Sequence, residues 1–229
     1  MTPARRAHFG PGLFAFLAQL ERHNDRAWFD ARRARYEAEV REPMLAFIAD
    51  LGPGLKGISP CFLADPRPVG GSMFRIYRDT RFSADKSPYK THAAAHFPHR
   101  DAGKDVHAPG FYLHLEPGAS FAGGGLWRPD SAALRRVRDA IVARPAAWRA
   151  VRRRVGEIEG DRLSRVPRGY DADHPLADDL MFTDFYTSVG FTDDEVLAPG
   201  FLGRCIRAFR TASPLVEFLT KAVGLRWRA

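Results

Sequence analysis

The stretch GFYLHLEPGASFAGGG, residues 110–125, decides the fold class. Phe111, Leu113 and Leu115 alternate with Tyr112, His114 and Glu116, the period-two pattern of a half-buried strand. Pro117-Gly118 is a turn signal, and Ala119 to Phe121 then runs into Gly123-Gly124-Gly125 as a second strand. Such a short connection fits antiparallel neighbours, because parallel ones need crossovers of a dozen or more residues. Two more strands are expected upstream. In Ser72 to Asp79, Phe74 and Ile76 share one face and Arg75, Tyr77 and Asp79 the other; in Thr91 to Phe97, His92, Ala94 and His96 share a face. Met181 to Phe191 supplies a further candidate.

Helical periodicity brackets these strands. Leu13, Phe16, Leu17 and Leu20 form one buried stripe, and Asn24 or Asp25 can cap a second helix carrying Trp28, Phe29, Tyr36 and Val40. Pro43 restarts or kinks it, Met44, Phe47, Ile48 and Leu51 extend the apolar face, and Gly52-Pro53-Gly54 is expected to end it. Arg32, Arg33, Arg35, Glu37 and Glu39 read as a solvated face of ion pairs three or four residues apart. Downstream, Leu134, Val137 and Ile141 stripe one helix and Trp148, Val151 and Val155 another. Residues 156–175 read as a long surface loop. Thr192 and Glu195 have capping-box spacing, Phe201 to Phe209 is amphipathic, and Ser213-Pro214 is expected to start a separate last helix. The expectation is therefore an N-terminal tail over 1–11 and one α+β domain over 12–229, a mostly antiparallel sheet packed by helices from both ends of the chain.

Composition excludes several classes. With 45% hydrophobic residues among 229, the chain is not predominantly disordered. The run Leu13 to Leu20 is too short and too polar for a membrane span or a signal peptide, so a cytoplasmic protein without membrane contact is expected. Cys61 and Cys205 lie far apart in apolar stretches, which argues against a disulfide framework or a cysteine zinc site. The net charge of +8 suggests nucleic acid at first, but 30 of the 35 cations are Arg, a bias that a GC-rich genome also produces. The arginine-rich helices, with Arg149, Arg152, Arg153 and Arg154 on one and Arg204, Arg207 and Arg210 on another, keep a nucleic-acid reading open as the alternative.

Positive charge is most informative in FRIYRDTRFSADKSPYKTH, residues 74–92, where two of the five lysines join three arginines. Arg75, Tyr77, Arg78, Arg81, Lys86, Tyr89 and Lys90 are candidate ligands for an anionic small molecule bearing phosphate or carboxylate. Asp79 would orient an arginine, and His114, beside Glu116, is the candidate for proton transfer. An alternative stays open: Asp79 and Asp85 can neutralise the arginines in a purely structural ion-pair network. This run, GFYLHLEPGASFAGGGLWRPD at 110–130 and RGYDADHPLADDL at 168–180 resemble the family of conserved hypothetical proteins called domain of unknown function 2461, found in bacteria and fungi. The resemblance spans roughly 12–223 and implies a single domain; it transfers positions, since no activity comes with the family.

Gly123, Gly124 and Gly125 can form an anion-binding nest beside a helix start, or a bend where the strand leaves the sheet. No GxxxxGK[ST] phosphate-binding loop or GxSxG elbow is present, and no cofactor is assigned. His92 and His96 on one strand lie about 13 Å apart, too far for one ion. Adding His114 and Asp79 makes a metal set conceivable, but none is assigned.

Overall fold

The computed structural model describes residues 7–81, 84–103, 105 and 107–229. Residues 1–6 of the expected tail lie outside that set. Residues 7–11 dock on the core: Phe9 is buried against Phe47 and Phe201.

The expected sheet forms as a four-stranded antiparallel meander, β1 (Ala93–Pro98), β2 (Gly110–Leu115), β3 (Ser120–Leu126) and β4 (Phe185–Phe191), paired in that order. Ala93 stands opposite Leu115, Phe111 opposite Gly124, and Gly124 opposite Thr187. This register puts Ala93, Ala95, Phe97, Phe111, Leu113, Leu115 and Ala122 on one buried face. The opposite face carries His92, His96, Tyr112, His114, Phe121 and Tyr186. Period-two alternation thus assigns each strand an apolar and a polar side.

Helices cover the apolar face. α1 (Gly12–Arg22), α2 (Arg26–Ala31), α3 (Arg33–Tyr36), a π-helical turn (Glu37–Arg41) and α4 (Glu42–Lys56) supply the first half of the core. Asp25 caps α2 by accepting from Trp28 N at 2.8 Å. α5 (Ser131–Ala143), capped by Asp130, and α6 (Pro145–Val155) bury Val137, Ile141, Trp148 and Val151 in a second cluster. The short α7 (Ala177–Leu180) and α8 (Asp193–Leu197), the latter with the expected capping box, precede α9 (Phe201–Ala222), which reaches both clusters. Among the described residues, no helix is long and apolar enough to cross a membrane.

Three expectations are corrected. α4 does not end at Gly52-Pro53-Gly54 but continues to Lys56, because Gly54 is where Ile206 of α9 packs; a Cβ there would lie 2.3 Å from the Ile206 Cδ1. Pro214 does not open a new helix. It lies inside α9, and the Arg210 carbonyl that loses its N–H partner to the proline accepts from Ser213 Oγ at 2.8 Å. Residues 72–79 form no regular strand: they run along the free edge of β1, joined by the isolated bridge of Met73 to Ala95 and by Phe74 N to Ala94 O at 2.9 Å. Beyond Phe74 the segment turns from β1 and pairs with its own continuation through the Tyr77–Tyr89 bridge.

Candidate functional site

The segment of residues 73–90 is pinned from the N-terminal helices. Asn24 accepts from Tyr89 N and donates to Tyr89 O, both at 3.0 Å, and Tyr89 stacks on Phe29 with centroids 4.1 Å apart. Tyr89, expected as a ligand contact, is thereby a core residue, 2% exposed. At the hairpin tip Arg81 pairs with Asp79 at 2.7 Å, and Arg78 reaches both Asp85 and Ser87. Arg81 hydrogen bonds hold the Asp79 carboxyl down at about 2. Lys86 Nζ donates to Thr80 O at 2.9 Å. The loop half of the motif therefore pairs within itself.

The flanks of the motif reach outward instead. Arg75 and Tyr77 line a cleft of about 140 Å³ together with Phe29, Arg33, Tyr36, Glu37 and Arg41. Arg33 hydrogen bonds Asp30 at 2.6 Å and interacts with the Tyr77 hydroxyl, which is the main cause of a raised guanidinium pKa. Arg41 donates to both Glu37 oxygens at 2.8 and 2.9 Å and to Pro68 O. Burial pushes the Tyr36 phenol up to about 12, so it remains protonated at neutral pH. Among the described residues the Arg75 guanidinium makes no hydrogen bond or ion pair. Sequence reading takes Tyr36 for a helix stripe and Arg33 for its solvated face and does not single out Arg41, which ends the π-helical turn, a feature frequent at functional sites.

A second constellation occupies the polar face of the sheet. His114 sits between Tyr112, whose hydroxyl is 3.0 Å from Nδ1, and Glu116, whose Oε2 is 3.0 Å from Nε2. Its ring lies 4.2 Å from that of His92, and Thr91 Oγ1 donates to Glu116 Oε1 at 3.0 Å. Burial, the adjacent His114 and the cations Lys90 and Arg78 lower the His92 pKa to about 4. Burial favours protonated Glu116, but the hydrogen bonds from His114 and Thr91 outweigh it and leave the carboxyl pKa lowered. One ligand atom from each of His92, His114 and Glu116 lies within 4.8 Å of the others, so among the described residues these three can hold a metal ion. Lys90 borders it: its Nζ donates to Arg75 O at 3.0 Å and sits 5.1 Å over the Phe74 ring. Phe74 in turn stacks against His96 and Tyr112, joining the cleft to the outer face. Asp79, expected to orient an arginine, pairs with Arg81 on the exposed loop, away from His114.

The triple glycine is built into β3, paired on both sides. A Cβ on Gly124 would lie 2.7 Å from Val216 Cγ2 of α9, and one on Gly123 would lie 2.0 Å from Thr187 O. Close approach of a helix and a strand accounts for these glycines. Other polar candidates have local partners: His99 meets Arg226 O at 2.7 Å, His174 accepts from Leu176 N, and buried Arg138 donates to Leu180 O and Phe182 O.

A search of the curated proteins finds no match to this chain. Residues 12–218, nearly the whole described structure, match the conserved hypothetical protein family DUF2461, and the chain belongs to that family.

Proposed function

We propose that this protein binds a small molecule bearing a phosphate or carboxylate, with the anionic group in the cleft between the N-terminal helices and residues 73–77. The observation that carries the reading is the lining: three guanidiniums, Arg33, Arg41 and Arg75, against one carboxylate, Glu37, with the phenols of Tyr36 and Tyr77. Arg33 and Arg41 are held in place by their acidic neighbours, while Arg75 offers an uncommitted planar fork. A volume near 140 Å³ is below the several hundred Å³ of a drug-sized pocket, so the cleft takes the anionic head and leaves the rest of the ligand outside. The reading is one of binding. Any proton transfer falls to His114 on the outer face, with Phe74 as the connecting residue.

The test is calorimetric titration of the protein with inorganic phosphate, a phosphomonoester and a small dicarboxylate. Losing a charge-assisted hydrogen bond costs about 1.5–3 kcal/mol, so Arg75→Ala is expected to weaken binding by roughly 10- to 100-fold at unchanged melting temperature. Undiminished affinity in that variant overturns the proposal. A second reading, contact with nucleic-acid phosphates, has one supporting observation: Arg149, Arg153 and Arg154 are exposed on α6 and make no ion pair among the described residues. It requires affinity that falls steeply with salt.

A further inference from the structure

We propose that His92, His114 and Glu116 form a binding site for a divalent transition metal ion of the zinc type on the outer face of the sheet. The proposal goes beyond the anion cleft and does not depend on it. Register creates the site. His114 on β2 and Glu116, one residue past its end, point to the same side, and His92 lies one residue before Ala93, which stands opposite Leu115, so extending the register puts His92 across from Glu116. Two imidazoles and a carboxylate are a donor set suited to zinc or cobalt, and three protein ligands leave a position open for water or substrate.

Distances fit. Ligands about 2.0–2.1 Å from a tetrahedral ion are separated by roughly 3.3 Å. His114 Nε2 and Glu116 Oε2 are already 3.0 Å apart, and one ligand atom from each of the three residues lies within 4.8 Å of the others. Supporting groups are in place as well. An ion entering between Nε2 and Oε2 requires His114 in its Nδ1–H tautomer, and the Tyr112 hydroxyl, 3.0 Å from Nδ1, accepts that proton. Thr91 fixes the other oxygen of Glu116.

His92 is the most telling member. Two other histidines are used structurally, His99 bonding backbone at both ring nitrogens and His107 bonding Trp127 O, whereas His96 has the ring contact with Phe74. Among the described residues the ring nitrogens of His92 make no hydrogen bond, yet the ring is held 4.2 Å from His114. Lys90 and Arg78 lie close enough to act on His92 electrostatically, and they favour an anion at the open position.

The experiment is titration of chelator-stripped protein with Co²⁺ and then Zn²⁺, followed by the visible absorption of cobalt and by calorimetry. One ion per chain is expected, with the absorption of a four- or five-coordinate site. His92→Ala and Glu116→Gln should each weaken binding at least 100-fold while circular dichroism and the melting temperature stay unchanged. Glu116→Gln preserves shape, so it decides the matter if removing a histidine unfolds the protein. Tyr112→Phe should cost about tenfold, the low end for a group that orients a ligand. Absence of stoichiometric binding by folded wild type, or wild-type affinity in the Glu116→Gln variant, overturns the proposal. Arg75→Ala should leave metal affinity intact, so failure of the anion cleft and failure of the metal site read out separately.

Discussion

The two faces of the sheet are made by the same few strand residues and do opposite work. Inward, Phe97, Phe111, Leu113 and Leu115 are fully buried, with Phe97 and Phe111 both packed on Phe209 of α9. Outward, the alternate residues are His96, Tyr112, His114 and Glu116, crossed only in part by Phe74 and Lys90. Together with His92 on the same face, these four polar side chains include the residues of the proposed metal site. The difference teaches that stability and chemistry are divided here by side-chain parity and not by domain or loop.

Truncating the inner face should break that division most visibly. Phe111→Ala is expected to cost about 3–5 kcal/mol, the range for removing a buried aromatic ring, measured by urea unfolding. Gly123→Ala is the informative exception. Gly123 faces outward, but its added Cβ would sit 2.0 Å from the Thr187 carbonyl oxygen, so it should separate β4 from β3 and destabilise as an inner-face change does. A stable Gly123→Ala protein that loses only ligand affinity would return the glycines to the site.

On the outer face, acid supplies the next largest effect. Burial holds His96 at about 4, with Asp105 raising it slightly and His107 lowering it. The unfolded value is near 6.5, so the native state binds fewer protons and stability is full above pH 6.5, then lost as pH falls towards 4. His96→Phe keeps the stack on Phe74 and should flatten the loss of melting temperature across that window, measured in chelator. A remaining slope comes from His92, which is held low as well. An unchanged slope in the variant would mean that His96 is not desolvated.

Much of this division was legible in the sequence. Alternation in residues 111–116 sorted both faces correctly, the Thr192 cap followed from its spacing, and the cap left open between Asn24 and Asp25 is Asp25. Failures have physical causes. Gly52-Pro53-Gly54 and Ser213-Pro214 look like helix breaks, but tertiary packing of Ile206 and a local hydroxyl bond override local propensity. His92 was weighed against His96 along one strand, whereas its partner is Glu116 across the ladder, a pairing that a hairpin register drawn from the alternation would have supplied. Arg33 and Arg41 joined the cleft only when residues 73–77 folded over them, a contact between distant segments that no local pattern encodes.

The smallest expected effect tests where the chemistry of the motif stops. Arg81 and Asp79 sit in the most family-like run of the chain and form a two-point pair, Arg81 Nε and an amino nitrogen each donating to a separate Asp79 oxygen at 3.0 and 2.7 Å. Their side chains are 75% and 48% exposed, a setting in which solvent screening leaves an ion pair little effect on stability. Asp79→Asn and the double variant with Arg81→Ala should therefore leave the urea unfolding midpoint essentially unchanged. Phosphate affinity should stay within twofold of wild type, because neither residue lines the Arg75 cleft. A tenfold loss of affinity in Asp79→Asn, with Arg75 intact, would show that the loop closes over the ligand and extends the site from the cleft to the hairpin tip. The pair would then act as a latch, and the ionised Asp79 carboxylate, which Arg81 keeps charged down to about pH 2, would hold it shut across the physiological range.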